Sequence, residues 1–178
     1  MLFLVRQLER INEALGQITA VLAVLLVLNV FLVVVLRYAF GYGEIWMQEL
    51  YVWIHATIFL AGAGYTLRHD GHVRIDLFYA SASARYRAWV NVLGCLFLGL
   101  PLVYMLGTKA WPMVVRSWQT LEKSAEAGGM PALYIFKSLI IVFAVCLGIQ
   151  LIVLLVRSAM TLIYGTDLEQ RTGEGEAS

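Results

Sequence analysis

Residues 18–36 read ITAVLAVLLVLNVFLVVVL, nineteen positions without a charge, fifteen of them Leu, Ile, Val or Phe. Wound as a helix, nineteen residues rise about 28 Å, close to the ~30 Å of hydrocarbon in a bilayer. At about −0.4 kcal/mol for each apolar side chain, the segment favours the membrane by about 6 kcal/mol. Residues 50–67, 88–106 and 138–156 have the same character. A soluble core can absorb one such stretch, but four in 178 residues leave too little polar chain to cover them. The composition agrees, with 61% hydrophobic and 14% charged residues, against roughly 45–50% and 25% in soluble domains. The sequence predicts an all-α integral membrane protein with four transmembrane helices and short interfacial helical segments.

Residues 1–165 read as a single four-helix membrane domain and 166–178 as a polar C-terminal tail. Arg6 and Arg10 precede the first apolar run, as in a signal peptide. That run is too long for one, however, and no small-residue cleavage pattern follows Leu36, so it is expected to persist as a span. Upstream, Leu4, Leu8, Ile11 and Leu15 recur at helical spacing among charged residues. Residues 2–17 are therefore either a short interfacial helix or a helical extension of the first span.

Lys and Arg residues set the orientation. The N-terminal segment, second loop and tail carry eight (Arg6, Arg10, Arg68, Arg74, Arg85, Arg87, Arg157 and Arg171). The first and third loops carry five (Arg37, Lys109, Arg116, Lys123 and Lys137). This bias predicts both termini in the cytoplasm. The third connection is long: Trp111, Val114, Val115, Trp118 and Leu121 continue the helical period until Gly128, Gly129 and Pro131 break it.

The spans hold few groups capable of chemistry. Asn29, Asn91 and Gln150 are expected to make interhelical hydrogen bonds, and Cys95 and Cys146 to pack as small hydrophobes. His55 is the one histidine within a span, so a bis-histidine haem site lacks its second ligand. No zinc-ligand spacing appears, and a formal net charge of +1 argues against a nucleic-acid partner. No cofactor or metal is expected, nor an enzyme. With one interfacial carboxylate and no second acid or basic relay, the chain has no ion pathway of its own.

That carboxylate is Glu49. A bare carboxylate at the start of the second span is costly, so a partner is expected, either Arg37 within the chain or a basic residue of another subunit. Trp46 is the aromatic anchor beside it. The small residues Ala61, Gly62, Ala63 and Gly64 are expected to let a neighbouring helix approach closely.

In order along the chain, Arg37-Tyr38, Trp46, Glu49-Leu50, Ala61-Gly62-Ala63-Gly64 and His72-Val73-Arg74-Ile75-Asp76 resemble the small membrane subunit of TRAP transporters, the DctQ-like family. The later Ser117-Trp118, Glu122, Ser124, Gly128-Gly129 and Pro131 are similar to its mannitol/chloroaromatic or 2-oxo acid branch. The resemblance covers roughly residues 15–165. It implies a small scaffold subunit of a tripartite, sodium-gradient-driven transporter for organic acids or related solutes, in the bacterial inner membrane. It also implies two protein partners, a large TRAP membrane subunit that carries the substrate and sodium sites, and a periplasmic substrate-binding protein. Arg37, Trp46, Glu49, Gly62, Gly64, His72, Arg74 and Asp76 then become candidates for partner-interface or structural roles. The competing expectation is a membrane anchor subunit of a respiratory enzyme complex, which needs paired haem histidines or a quinone site.

Overall fold

The computed structural model describes residues 2–69 and 82–165, with side chains described from Asn12 onward except those of Arg68 and Tyr164. Four helices are long and apolar enough to cross a membrane, as expected. α1 is Leu2–Phe40, α2 is Ile45–Arg68, α3 is Ala84–Gln119 and α4 is Leu133–Tyr164. Of the two readings of the N-terminal segment, the extension holds: α1 runs unbroken through 39 residues, about 58 Å at 1.5 Å per residue. His72, Arg74 and Asp76 lie outside the described residues, as does the tail at 166–178.

Helix ends follow local chemistry. Gly41 takes a left-handed φ of +64° and stops α1, and the Tyr42 N–H turns back to the Leu36 carbonyl at 3.0 Å. The Ser83 hydroxyl accepts the Tyr86 N–H at the start of α3, an N-cap of the usual kind. Within α3, Cys95–Gly99 winds as a π turn. The cause is Pro101, which has no N–H to give and whose ring presses on the preceding turn. One wide turn absorbs that conflict.

The helices lie side by side in the order α1, α2, α4, α3, with α4 packed against both α2 and α3. The last helix in the chain is thus the central one. It carries much of the buried surface, including Ala144, Cys146, Leu151 and Val153. Close approaches depend on small residues. A Cβ on Gly64 would stand 2.4 Å from Asn12 Oδ1 and 3.0 Å from the Cys146 carbonyl, while one on Gly62 would meet Thr19 at 3.7 Å. Trp53 stacks on Phe136 with ring centroids 5.2 Å apart, tying α2 to α4.

A buried polar contact crosses this core. Asn12 Nδ2 donates to Gln150 Oε1 at 3.1 Å, joining α1 to α4. Gln150 therefore bonds between helices as expected. Asn29 does not: its Oδ1 is buried without a hydrogen-bond partner.

Candidate functional site

The polar structure of the described chain gathers where α1 ends, α2 begins and residues 120–132 connect α3 to α4. Its centre is Glu49, in the second turn of α2. The Ser124 hydroxyl donates to Glu49 Oε1, and the Met130 backbone N–H donates to Glu49 Oε2 at 2.6 Å. Both donors belong to the connection. A carboxylate on α2 thereby holds a loop that lies 75–81 residues further along the chain.

The loop is shaped to present those donors. The Ser124 N–H reaches the Met130 carbonyl at 3.0 Å, and the Gly129 N–H reaches that of Glu126 at 3.0 Å, closing a compact ring. Gly128 sits at φ +83°, open to glycine at no steric cost. At Gly129 the constraint is space, since a Cβ there would stand 2.9 Å from Glu49 Oε1 and 2.7 Å from Ser124 Cβ. These features explain the glycine pair in the sequence.

The same loop is fastened at its other end. α3 finishes with the Glu122 N–H bonded to the Ser117 carbonyl at 3.0 Å and the Leu121 N–H to that of Trp118 at 3.3 Å. This is a Schellman ending with Leu121 (φ +44°) in the place glycine usually fills. An L-residue in that conformation costs roughly 1–2 kcal/mol. The turn aims Glu122 at α4, where Lys137 Nζ donates to both carboxylate oxygens at 2.7 and 2.6 Å. That contact holds the Glu122 carboxyl below the ordinary range for its type. Alongside, Trp118 Nε1 donates to Ser138 Oγ at 2.9 Å, and the Trp118 and Tyr134 rings meet edge to face at 4.6 Å.

The residues singled out from sequence fall in different places. Glu49 is the centre of this cluster. Arg37, its expected partner within the chain, is exposed at the end of α1, and no ion pair joins the two. The carboxylate instead stays charged and is satisfied by hydrogen-bond donors from the loop, which the fold of the connection delivers directly onto it. Trp46 is 43% exposed, one turn before Glu49. Gly62 and Gly64 lie away from the cluster, in the seams that α2 makes with α1 and α4. Ser124, Met130, Glu122 and Lys137 went unread as partners. Backbone donors have no side-chain signature, and no local spacing links residue 49 to residue 130.

On the opposite side of the membrane, Tyr65 packs its ring against His69 at 4.2 Å, and His69 Nε2 lies 3.6 Å from Glu13 Oε2. His55, on α2, is exposed. Among the described residues, no group of three or more His, Cys, Asp or Glu side chains is placed to hold a metal ion. The arrangement at Glu49 and Glu122 fixes a loop to a helix pair.

No curated protein and no solved structure matches the chain. One family pattern does, that of the tripartite ATP-independent periplasmic transporters, DctQ component, over residues 7–161. The matched segment takes in all four spans, the Glu49 cluster and the small-residue seam, and it leaves out only the first six residues and the end of the chain. The chain belongs to the DctQ component family, the small membrane subunits of tripartite ATP-independent periplasmic transporters.

Proposed function

We propose that the chain is the scaffold subunit of a sodium-gradient-driven TRAP transporter that takes up organic acids or related solutes across the bacterial inner membrane. In this reading it enlarges the static part of a large permease subunit. The observation that carries the reading is how its groups are used. Glu49, Ser124, Glu122, Lys137, Asn12 and Gln150 are engaged in holding helices and one loop together, while α1 turns a broad apolar face outward through Val21, Leu25, Leu28 and Phe31. Such a face suits lipid on one part and a larger helical partner on another. Trp118, Glu122, Ser124 and Gly129, which resemble one branch of the family, each have a structural task in the loop or at its ends, and the substrate class stays with the partner chains.

The direct test is reconstitution. The isolated chain in proteoliposomes is expected to show no uptake of any organic acid under a sodium gradient. Uptake should require the large subunit, the binding protein and this chain together. Ion-coupled transport by the isolated chain would refute the scaffold role.

We further propose that both termini are cytoplasmic and that the third connection, residues 107–137, faces the periplasm, where the binding protein docks. The eight-to-five distribution of Lys and Arg supports this orientation. Alkaline phosphatase fused after Tyr134 is expected to be active, and fused after Asp76 inactive. The reverse pattern would place the Glu49 loop on the cytoplasmic side and remove it as a docking element.

A further inference from the structure

We propose that the cleft between the end of α3 and the start of α4 binds the phosphodiester headgroup of an anionic glycerophospholipid. The cleft has a volume of about 410 Å³, within the ~300–1,000 Å³ typical of small-ligand sites. Pro112 and Met113 form its apolar part, and Arg116, Ser117, Thr120, Glu122 and Lys137 its polar part.

The donors not engaged within the protein define what it can hold. The Thr120 hydroxyl is committed to the carbonyls of Arg116 and Ser117. Lys137 directs two of its N–H groups to Glu122, and a third remains. Arg116 is exposed at the rim and brings the planar guanidinium that matches two phosphate oxygens. Ser117 is the most telling member. It is 1% exposed, lines the cleft, and its hydroxyl has no hydrogen-bond partner. It lies beside the Glu122 carboxylate and favours that group's charged form, yet outside hydrogen-bonding geometry. A buried hydroxyl left without an acceptor is costly, and the two acceptors within its reach are the Glu122 carboxylate and an anion that enters the cleft.

Charge and position narrow the ligand. Two cations against one carboxylate leave a single positive charge, which balances the single negative charge of a phosphodiester. The uncharged run of α3 ends at Thr108 and that of α4 begins at Ser138, so the cleft lies at the membrane surface. Trp111 and Trp118 are exposed beside it, and interfacial aromatics mark the headgroup level. Towards the membrane interior, steps of three and four residues lead from Met113 past the exposed Lys109 to exposed Met105 and Leu102, an apolar path for an acyl chain below the headgroup cations.

The full-length chain, purified in detergent and stripped of lipid, is titrated with phosphatidylglycerol, phosphatidylcholine or inorganic phosphate and read by native mass spectrometry. One phosphatidylglycerol is expected to be retained per chain. Arg116→Gln should weaken retention by about tenfold, as loss of a bidentate charged contact would. Arg116→Lys should fall between the two, and Ser117→Ala should weaken retention without removing it. Lys123→Gln, on the exposed loop outside the cleft, should have no effect. Unchanged retention in Arg116→Gln, or an equal loss in Lys123→Gln, overturns the site. Equal retention of phosphatidylcholine overturns the charge match. Inorganic phosphate bound as tightly as the lipid would make the ligand a free phosphate anion and overturn the lipid assignment. Melting temperatures of all variants, measured in the same detergent, show that each comparison is made on folded protein.

Discussion

Gly64→Leu is expected to lower the stability of the folded subunit by about 1–3 kcal/mol, the usual range for forcing extra carbons into a filled core. Its first added atom would stand 2.4 Å from Asn12 Oδ1 and 3.0 Å from the Cys146 carbonyl oxygen. The Asn12 side chain can swing aside only by giving up its bond to Gln150, and the Cys146 carbonyl belongs to the backbone of the central helix. Gly64→Ala should show the same effect more weakly. Gly62→Ala should be neutral or slightly stabilising, since its nearest neighbour is Thr19 at 3.7 Å and alanine favours a helix over glycine by up to ~1 kcal/mol. Thermal unfolding in detergent is the measurement. If the two alanine variants melt alike, the α1–α2–α4 junction does not have the close contact at Gly64 described above.

Glu49→Ala is expected to release residues 120–132 from α2. The Met130 N–H and the Ser124 hydroxyl both lose their acceptor, and the loop is then held chiefly through Glu122 and Lys137. Trypsin cleavage after Lys123, which is exposed on this loop, should accelerate by roughly tenfold, because cleavage follows the population of the opened segment. Glu49→Gln separates two roles. Its amide oxygen can still accept from Met130 and its NH2 can donate to Ser124 Oγ, so the loop should stay closed. If a cation of the large subunit also depends on the negative charge, Glu49→Gln should impair co-purification of the two membrane subunits as much as Glu49→Ala does. Glu126→Gln, exposed on the same loop, should change neither readout. Cleavage at the unmodified rate in Glu49→Ala would show that the carboxylate does not hold the loop.

The fold class and the four spans were legible because bilayer insertion depends on local composition, which a window of about twenty residues records. The same local view could not rank the helices. Nothing in 138–156 marks α4 as central, since its small and polar contacts, Ala144, Cys146 and Gln150, are unremarkable until their neighbours are known. Gly62 and Gly64 look interchangeable in the sequence, and only the crossing of α1 distinguishes them. Asn12 was passed over because it lies in a charged segment, yet it is 1% exposed. Asn29 drew notice at mid-span and has no bond. For Glu49, the need for a partner followed from the cost of a carboxylate near hydrocarbon. The partner's identity did not, because the chain delivers a backbone amide from a distant loop and no residue type announces that.

The order in space, α1, α2, α4, α3, differs from the order of synthesis. A ribosome releases the amino-terminal pair first, and α1 and α2 can settle against each other as soon as both are inserted. α3 then emerges with no neighbour prepared to receive it, because the helix that stands between it and the first pair has not yet been made. For the time needed to translate the remaining residues, α3 is a solitary hairpin arm in the lipid, with its π turn and prolines unsupported. Assembly is completed only when the final helix arrives and slides between partners already in place. A premature stop early in that last helix therefore leaves α3 tethered to the α1–α2 pair by the chain alone, with no helix packed between them, where the loss of an outer helix would merely shorten the row.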